Sequence, residues 1–220
     1  GKKLICSDNL LCSEPEEMGK VISKDLPLYL SIDGTGVLHK VTDGYVGTST
    51  IDLILPDAKK SDFLIQDTSL AGSKRVISAI RTEKAYEIIT TFNKLGFSVL
   101  KVFLGPFSII SISESFSEEL SVELPAYNIF ISNGSIHGFE KVAPARREFS
   151  LNFDSQVINS EFIVPLSSGL FHFSKNENIS LEYNLLQSQS DTFKYKRLFV
   201  TCGWGLLLFF FLYLPFIQTS

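Results

Sequence analysis

The chain is poor in the residues that most often announce chemistry. Its 220 residues hold three cysteines, Cys6, Cys12 and Cys202, too few for a disulfide framework. No histidine stands near Cys6 or Cys12, so a zinc site is not expected and the thiols are read as reduced. Only three histidines occur, His39, His137 and His172, far apart along the chain. No Ser-His-Asp or Cys-His set can be assembled from neighbouring positions. HExxH, Walker A, GxSxG and GxGxxG are all absent, so neither an enzyme nor a resident cofactor or metal is expected. Positive charge is also scarce. Lys and Arg number 20 against 24 Asp and Glu, a formal balance of −4, which leaves no basic surplus to neutralise phosphates. Sequence-unspecific nucleic-acid binding is therefore excluded. Repeats of roughly 20 to 50 residues and low-complexity tracts are missing too, which argues against solenoids, propellers and disordered linkers.

Apolar residues are not scarce, and they concentrate at one end. From Leu198 to Ile217 the chain reads LFVTCGWGLLLFFFLYLPFI, twenty residues without a charge. At 1.5 Å per residue such a helix spans roughly 30 Å, the thickness of a bilayer's hydrocarbon core. Lys194, Lys196 and Arg197 flank it on one side and only Gln218, Thr219 and Ser220 on the other. The positive-inside rule then puts the preceding residues in the cytoplasm, with one transmembrane helix at 198–217. The chain begins with Gly, so it is read as a piece of a longer protein, with a strand missing before Lys2 and a further part beyond Ser220.

Before that span, strand and helix patterns alternate. Residues 3–7 read as a strand, and Ser13 with Pro15, Glu16 and Glu17 as the start of a short helix ending near Ser23. Residues 28–32 and 36–41, separated by Asp33, Gly34 and Thr35, fit a tight β-hairpin. Residues 49–55 read as a short helix closed by Pro56, and 62–68 and 74–80 as two strands. Ala85, Ile88, Ile89, Phe92 and Leu95 recur at helical spacing behind Thr82, predicting a capped amphipathic helix over 82–95, and a strand follows at 97–104. Strands are also expected at 108–113, 126–132, 135–142 and 147–153, the middle pair joined by Asn133-Gly134. Residues 155–173 read as helical. The fold expected is a mixed α/β domain in two parts, 1–106 and the strand-rich 107–184, with a linker at 185–197.

Two local features invite a functional reading. Asp33-Gly34-Thr35-Gly36 is either a simple hairpin turn or a phosphate loop, since glycines let backbone amides approach a polyanion and a carboxylate can hold hydrated Mg²⁺. Lys40 shares a face with Leu38 and reads as solvated. Glu114, Glu118, Glu119 and Glu123 form an acidic stretch, which is either a solvated face or a docking surface for a partner.

The order PLYLSIDGTGVLHK (Pro27 to Lys40), a short helix ending in Pro, DFLIQDTSLAGSKRVISAIR (Asp62 to Arg81) and EKAYEIITTFNKLGFSVLKVFLGP (Glu83 to Pro106), followed later by one apolar span, resembles a known family. It is similar to the actin-like cytoplasmic domain of type II secretion system protein L and to its relative in type IV pilus assembly, protein M. The resemblance implies an actin/ribonuclease H-like domain followed by one transmembrane helix in a bacterial inner membrane. It implies a non-catalytic scaffold that recruits a secretion or pilus motor ATPase and meets other inner-membrane platform subunits; a homodimer is compatible with it. Under the alternative it implies, an actin-like protein binding ATP with Mg²⁺, the loop Asp33, Gly34, Thr35 and Gly36 would hold the nucleotide. No catalytic residue is carried over.

Overall fold

A computed structural model describes residues 9–44, 54–153 and 155–171, together with Cys6, Asp52, Phe173, Leu181 and scattered positions from 186 to 204. A short helix α1 (Pro15–Val21) opens the described chain. Pro15 stands in its first turn with Glu16 and Glu17, matching the positive end of the helix. Ser13 is not the cap: Glu14 occupies that position, and the Ser13 amide instead donates to the Glu17 carboxylate at 3.1 Å. Strands β1 (Pro27–Ile32) and β2 (Val37–Asp43) follow. They do not form the expected hairpin. β1 pairs in parallel with β5 (Ser98–Leu104), and β2 pairs antiparallel with β4 (Lys74–Arg81). Turn chemistry does not choose a partner. β1 is apolar almost throughout, as a parallel strand covered on both faces must be, while β2 alternates buried Val37 with exposed Leu38 and Lys40.

β3 (Phe63–Ser69) is a strand as its sequence pattern predicts, and it completes a three-stranded antiparallel sheet in the order β2-β4-β3 that the sequence reading did not foresee. Helix α2 (Thr82–Lys94) then crosses back to β5. Its Ala85 and Ile89 are buried, but Arg81 rather than Thr82 is its cap residue, and the Thr82 hydroxyl donates to the Ser61 carbonyl at 3.3 Å.

The expected strand at 108–113 is absent. Gly105–Ile109 form a 3-10 turn, and Ile110–Ser113 a short helix α3. Gly105 has φ +70° and precedes Pro106, which together turn the chain out of β5, and the alternation in SIISIS is too short to separate strand from helix. Two serines of this segment meet the later helix at 160–170: Ser111 Oγ donates to the Ser167 carbonyl at 2.7 Å, and Ser168 Oγ to Ser108 Oγ at 2.9 Å, while Ser113 Oγ donates to the Gly134 carbonyl at 2.7 Å.

β6 (Leu120–Glu123), β7 (Tyr127–Ser132) and β8 (Ser135–Lys141) make an antiparallel meander. The Asn133-Gly134 turn between the last two has φ values of +50° and +73°, the left-handed pair that a two-residue hairpin needs. A two-stranded ribbon, β9 (Ser150–Phe153) with β10 (Gln156–Asn159), leads into helix α4 (Ser160–Leu170). The helical expectation for 155–173 therefore holds for 160–170 and misses β10.

Two large apolar clusters organise the body. One gathers Ile32, Val37, Ile80, Ile89, Val102 and Leu104 around β1, β5 and α2. Leu181 and Leu186 join it from far along the chain, and the Leu181 amide donates to the Val102 carbonyl at 2.9 Å. The other gathers Phe107, Ile112, Val122, Ile129, Leu151 and Ile163, and takes in Leu70 and Val76 from the first sheet. Each such side chain contributes roughly 1.5–3 kcal/mol on burial.

Among the described residues no helix is long and apolar enough to cross a membrane. The expected span 198–217 lies outside the described residues except for Phe199, Cys202, Gly203 and Trp204, and Lys194, Lys196, Arg197 and His172 lie outside them as well. So do most of the strand expected at 3–7 and of the helix expected at 49–55.

Candidate functional site

The polar residues of greatest interest meet where the two apolar clusters join. β1 ends at Ile32 and delivers Asp33. β2 delivers His39, which the ladder places opposite Ser78 of β4. That pairing brings His39 Nδ1 within 2.8 Å of Ser78 Oγ. The other ring nitrogen, Nε2, lies 3.7 Å from Asp33 Oδ1. This is beyond hydrogen-bonding distance, and Nε2 is buried without a hydrogen-bond partner. From the second cluster, Tyr127 of β7 donates its hydroxyl to the same carboxylate oxygen at 2.8 Å. Phe107 and Phe139 stand edge-on to the imidazole, with centroids 5.2 and 6.3 Å away.

Electrostatics follow from this crowding. Partial burial pushes the Asp33 carboxyl upward. His39, the Tyr127 hydroxyl and the Gly34 amide all favour the carboxylate, and together they prevail, so Asp33 is held below its ordinary value. The Tyr127 phenol is pushed well above its ordinary value, first by burial and then by its bond to the Asp33 carboxylate.

Two neighbours set the geometry. Gly105, at φ +70°, lies against the imidazole so closely that an added Cβ would stand 2.5 Å from His39 Cε1. Its carbonyl accepts from Ser31 Oγ at 2.8 Å. Buried Gln66 of β3 then reaches β5, accepting from the Leu104 amide at 2.7 Å and donating to the Leu104 carbonyl at 3.3 Å.

Ser78, His39 and Asp33, scattered in the sequence, stand in a row, but Nδ1 rather than Nε2 faces Ser78 and no hydrogen bond joins His39 to Asp33, so the hydrogen-bonded relay of a hydrolytic triad is not formed. Ser78 is fully buried, so no substrate carbonyl reaches its hydroxyl, and in this geometry the three residues act as a structural cross-link. Inward-facing Val37 two residues before His39 was the one sequence signal that the histidine points into the protein. Nothing local announced Ser78 or Tyr127.

The loop Asp33-Gly34-Thr35-Gly36 remains together as a turn, with Gly34 and Gly36 both left-handed at φ +97° and +95°. Lys84, in the first turn of α2, donates its ammonium to the Thr35 carbonyl and lies over Gly36. The Asp33 carboxylate is already engaged by Tyr127. The acidic residues do not gather into this site: Glu114 follows α3, Glu118 and Glu119 lie in the next loop, Glu123 is on β6, and all four are exposed. His137 is exposed on β8. Among the described residues no group of three or more His, Cys, Asp or Glu side chains could hold a metal ion.

The chain is thus a mixed α/β protein with several small sheets and a polar cross-link at the joint of its two main clusters. No protein-family model matches its sequence, and no curated protein does. Among solved structures it is similar to the cytoplasmic domain of EpsL, an inner membrane component of the type II secretion system of Vibrio cholerae, with a TM-score of 0.38 and 12% identity. The similarity covers 58% of this chain and 52% of that one, so the chain spans about half the length of that solved domain.

Proposed function

We propose that this chain is a membrane-anchored, non-catalytic scaffold of a type II secretion or type IV pilus-like machine, whose α/β domain recruits a cytoplasmic motor ATPase to the inner membrane. The observation that carries the anchoring is the exposure of the two large apolar side chains described within the apolar run. Of its twenty uncharged residues, Phe199 and Trp204 are 79% and 67% exposed, so these large side chains do not pack into the protein's own core. Large apolar side chains left outside a folded body favour a membrane or a partner. The basic flank Lys194, Lys196 and Arg197 orients the span with the α/β domain on the cytoplasmic side. One helix forms no pore, but it holds a partner-binding domain at the membrane and raises the partner's effective concentration there.

The test is membrane fractionation of the chain with and without residues 198–220, followed by capture of purified motor ATPase by each form. Membrane residence that requires 198–217, with ATPase retained by both forms, supports the scaffold. A freely soluble full chain that retains no ATPase defeats it.

A further inference from the structure

Asn133 is the one asparagine of the chain that is followed by glycine. Glycine sets no side chain beside its own amide nitrogen, so in this pair that nitrogen can approach the preceding carboxamide most freely. The β7–β8 turn also holds Asn133 at the surface, exposed and at φ +50°. An attack of this kind needs an unengaged Gly134 N–H, and the fold does not leave it unengaged.

The segment that follows α3 grips Gly134 from both sides. The Gly134 amide donates to the Phe116 carbonyl at 3.0 Å, and the Gly134 carbonyl accepts from Ser113 Oγ at 2.7 Å. Ser113 is fully buried and Phe116 packs against the second apolar cluster, so water replaces neither bond unless the turn lifts. The fit is close: a Cβ on Gly134 would stand 3.2 Å from Glu114 Cα. Just beyond the turn, the Ala71 amide donates to the Ile136 carbonyl at 2.7 Å and ties β8 to the loop between β3 and β4.

We propose that Asn133 is a latent deamidation site, kept unreactive by the Phe116 and Ser113 bonds and released when the β7–β8 turn lifts from residues 113–116. In the lifted turn the Gly134 nitrogen gives up its proton and attacks Asn133 Cγ, an intramolecular step between groups already adjacent. A bond forms between that nitrogen and Cγ, the bond from Cγ to Nδ2 breaks, and the side-chain nitrogen takes up a proton and leaves as ammonia. Water then opens the cyclic imide at one of its two carbonyls. Opening at one gives aspartate; opening at the other gives isoaspartate, whose main chain runs through the former side-chain carbon. The isoaspartyl turn is one methylene longer and carries a new carboxylate beside Glu114. It no longer meets the left-handed geometry that a two-residue hairpin needs, so the turn stays lifted once modified. Neither the membrane anchor nor a partner takes part.

Peptide mapping by mass spectrometry tests this, following the full chain in detergent micelles beside a synthetic peptide of residues 129–137. The readout is the mass gain of amide-to-acid exchange at Asn133, which isomerisation at Asp33 or Asp43 does not give. Deamidation in the folded chain is expected to be at least about tenfold slower than in the peptide, because only the open fraction reacts. Ser113→Ala is expected to speed it about fivefold, because one of the two bonds that close the turn is lost. Ser111→Ala, which removes a hydroxyl bonded to α4 instead, should leave the rate unchanged and so controls for general loss of stability. If Ser113→Ala fails to fold by circular dichroism, hydrogen exchange at the Gly134 amide of the unmodified chain decides, and slow exchange is expected. Deamidation as fast in the folded chain as in the peptide, equal effects of the two serine variants, or rapid exchange at the Gly134 amide overturns the proposal.

Discussion

The Tyr127 hydroxyl donates to the Asp33 carboxylate at 2.8 Å across 94 positions of sequence, joining the β-meander of the second apolar cluster to the loop that leaves the first. The acceptor is charged, so the bond belongs to the stronger class of about 1.5–3 kcal/mol. Tyr127→Phe is expected to lower the urea midpoint by an equivalent amount with an unchanged slope. Combined with Asp33→Asn in a double-mutant cycle it should show a coupling of about 1 kcal/mol or more, and strict additivity would mean that the two residues do not interact in solution.

Stability should depend on pH through Asp33. Its folded pKa lies below the unfolded value of about 3.9, so it contributes stability that is present above that value and lost as pH falls through the folded pKa. Urea titrations between pH 3 and 6 are expected to show the wild type losing stability below about pH 4 more steeply than Asp33→Asn. Parallel profiles for the two proteins would rule out this linkage.

Gly105 and Gly72 both have φ +70°, but a Cβ on Gly72 meets nothing within 4 Å, whereas one on Gly105 meets His39 Cε1 at 2.5 Å. Gly72→Ala therefore isolates the backbone strain, about 1–2 kcal/mol. Gly105→Ala adds displacement of a buried imidazole and should lower the melting temperature clearly further. Equal melting temperatures for the two variants would show that His39 does not pack against Gly105.

Gln66→Leu removes the side-chain partner of the Leu104 amide and of the Leu104 carbonyl while keeping a side chain of similar size. The stranded amide and carbonyl predict a loss of about 3 kcal/mol, read by denaturant unfolding, and faster hydrogen exchange at the Leu104 amide. A loss within about 0.5 kcal/mol would mean that water satisfies them instead.

Trp204 is the single tryptophan, and it is 67% exposed. Its fluorescence should shift to the blue when anionic phospholipid vesicles are added, because the indole leaves water for the membrane interface. An unchanged spectrum alongside a full chain that stays in solution would count against anchoring.

How much of this was legible beforehand varied with the range of the interaction. Helix α2 and the β3–β4 hairpin follow closely from their patterns, and Asn133-Gly134 announced the β7–β8 turn, because in each the signal and the structure lie within a few residues. The Asp33–Gly36 turn was legible in the same way, but the partners of the strands beside it were not. β1 and β5 are brought together by contacts across the first apolar cluster, and no local residue in β1 names β5. The SIISIS segment went the other way, since its isoleucines suit a strand until Gly105 and Pro106 turn the chain and α4 supplies partners for Ser108 and Ser111.

The sequence by itself determined the mixed α/β character, the lack of any basic surplus, and an uncharged apolar run long enough for a bilayer, because these depend on composition and short-range periodicity. Tertiary structure alone decided that Asp33, His39, Ser78 and Tyr127 share one cross-link, and that Ser78 is sealed from substrate. Each of those outcomes depends on which distant strands pack together, and burial, unlike periodicity, is a property of the whole fold.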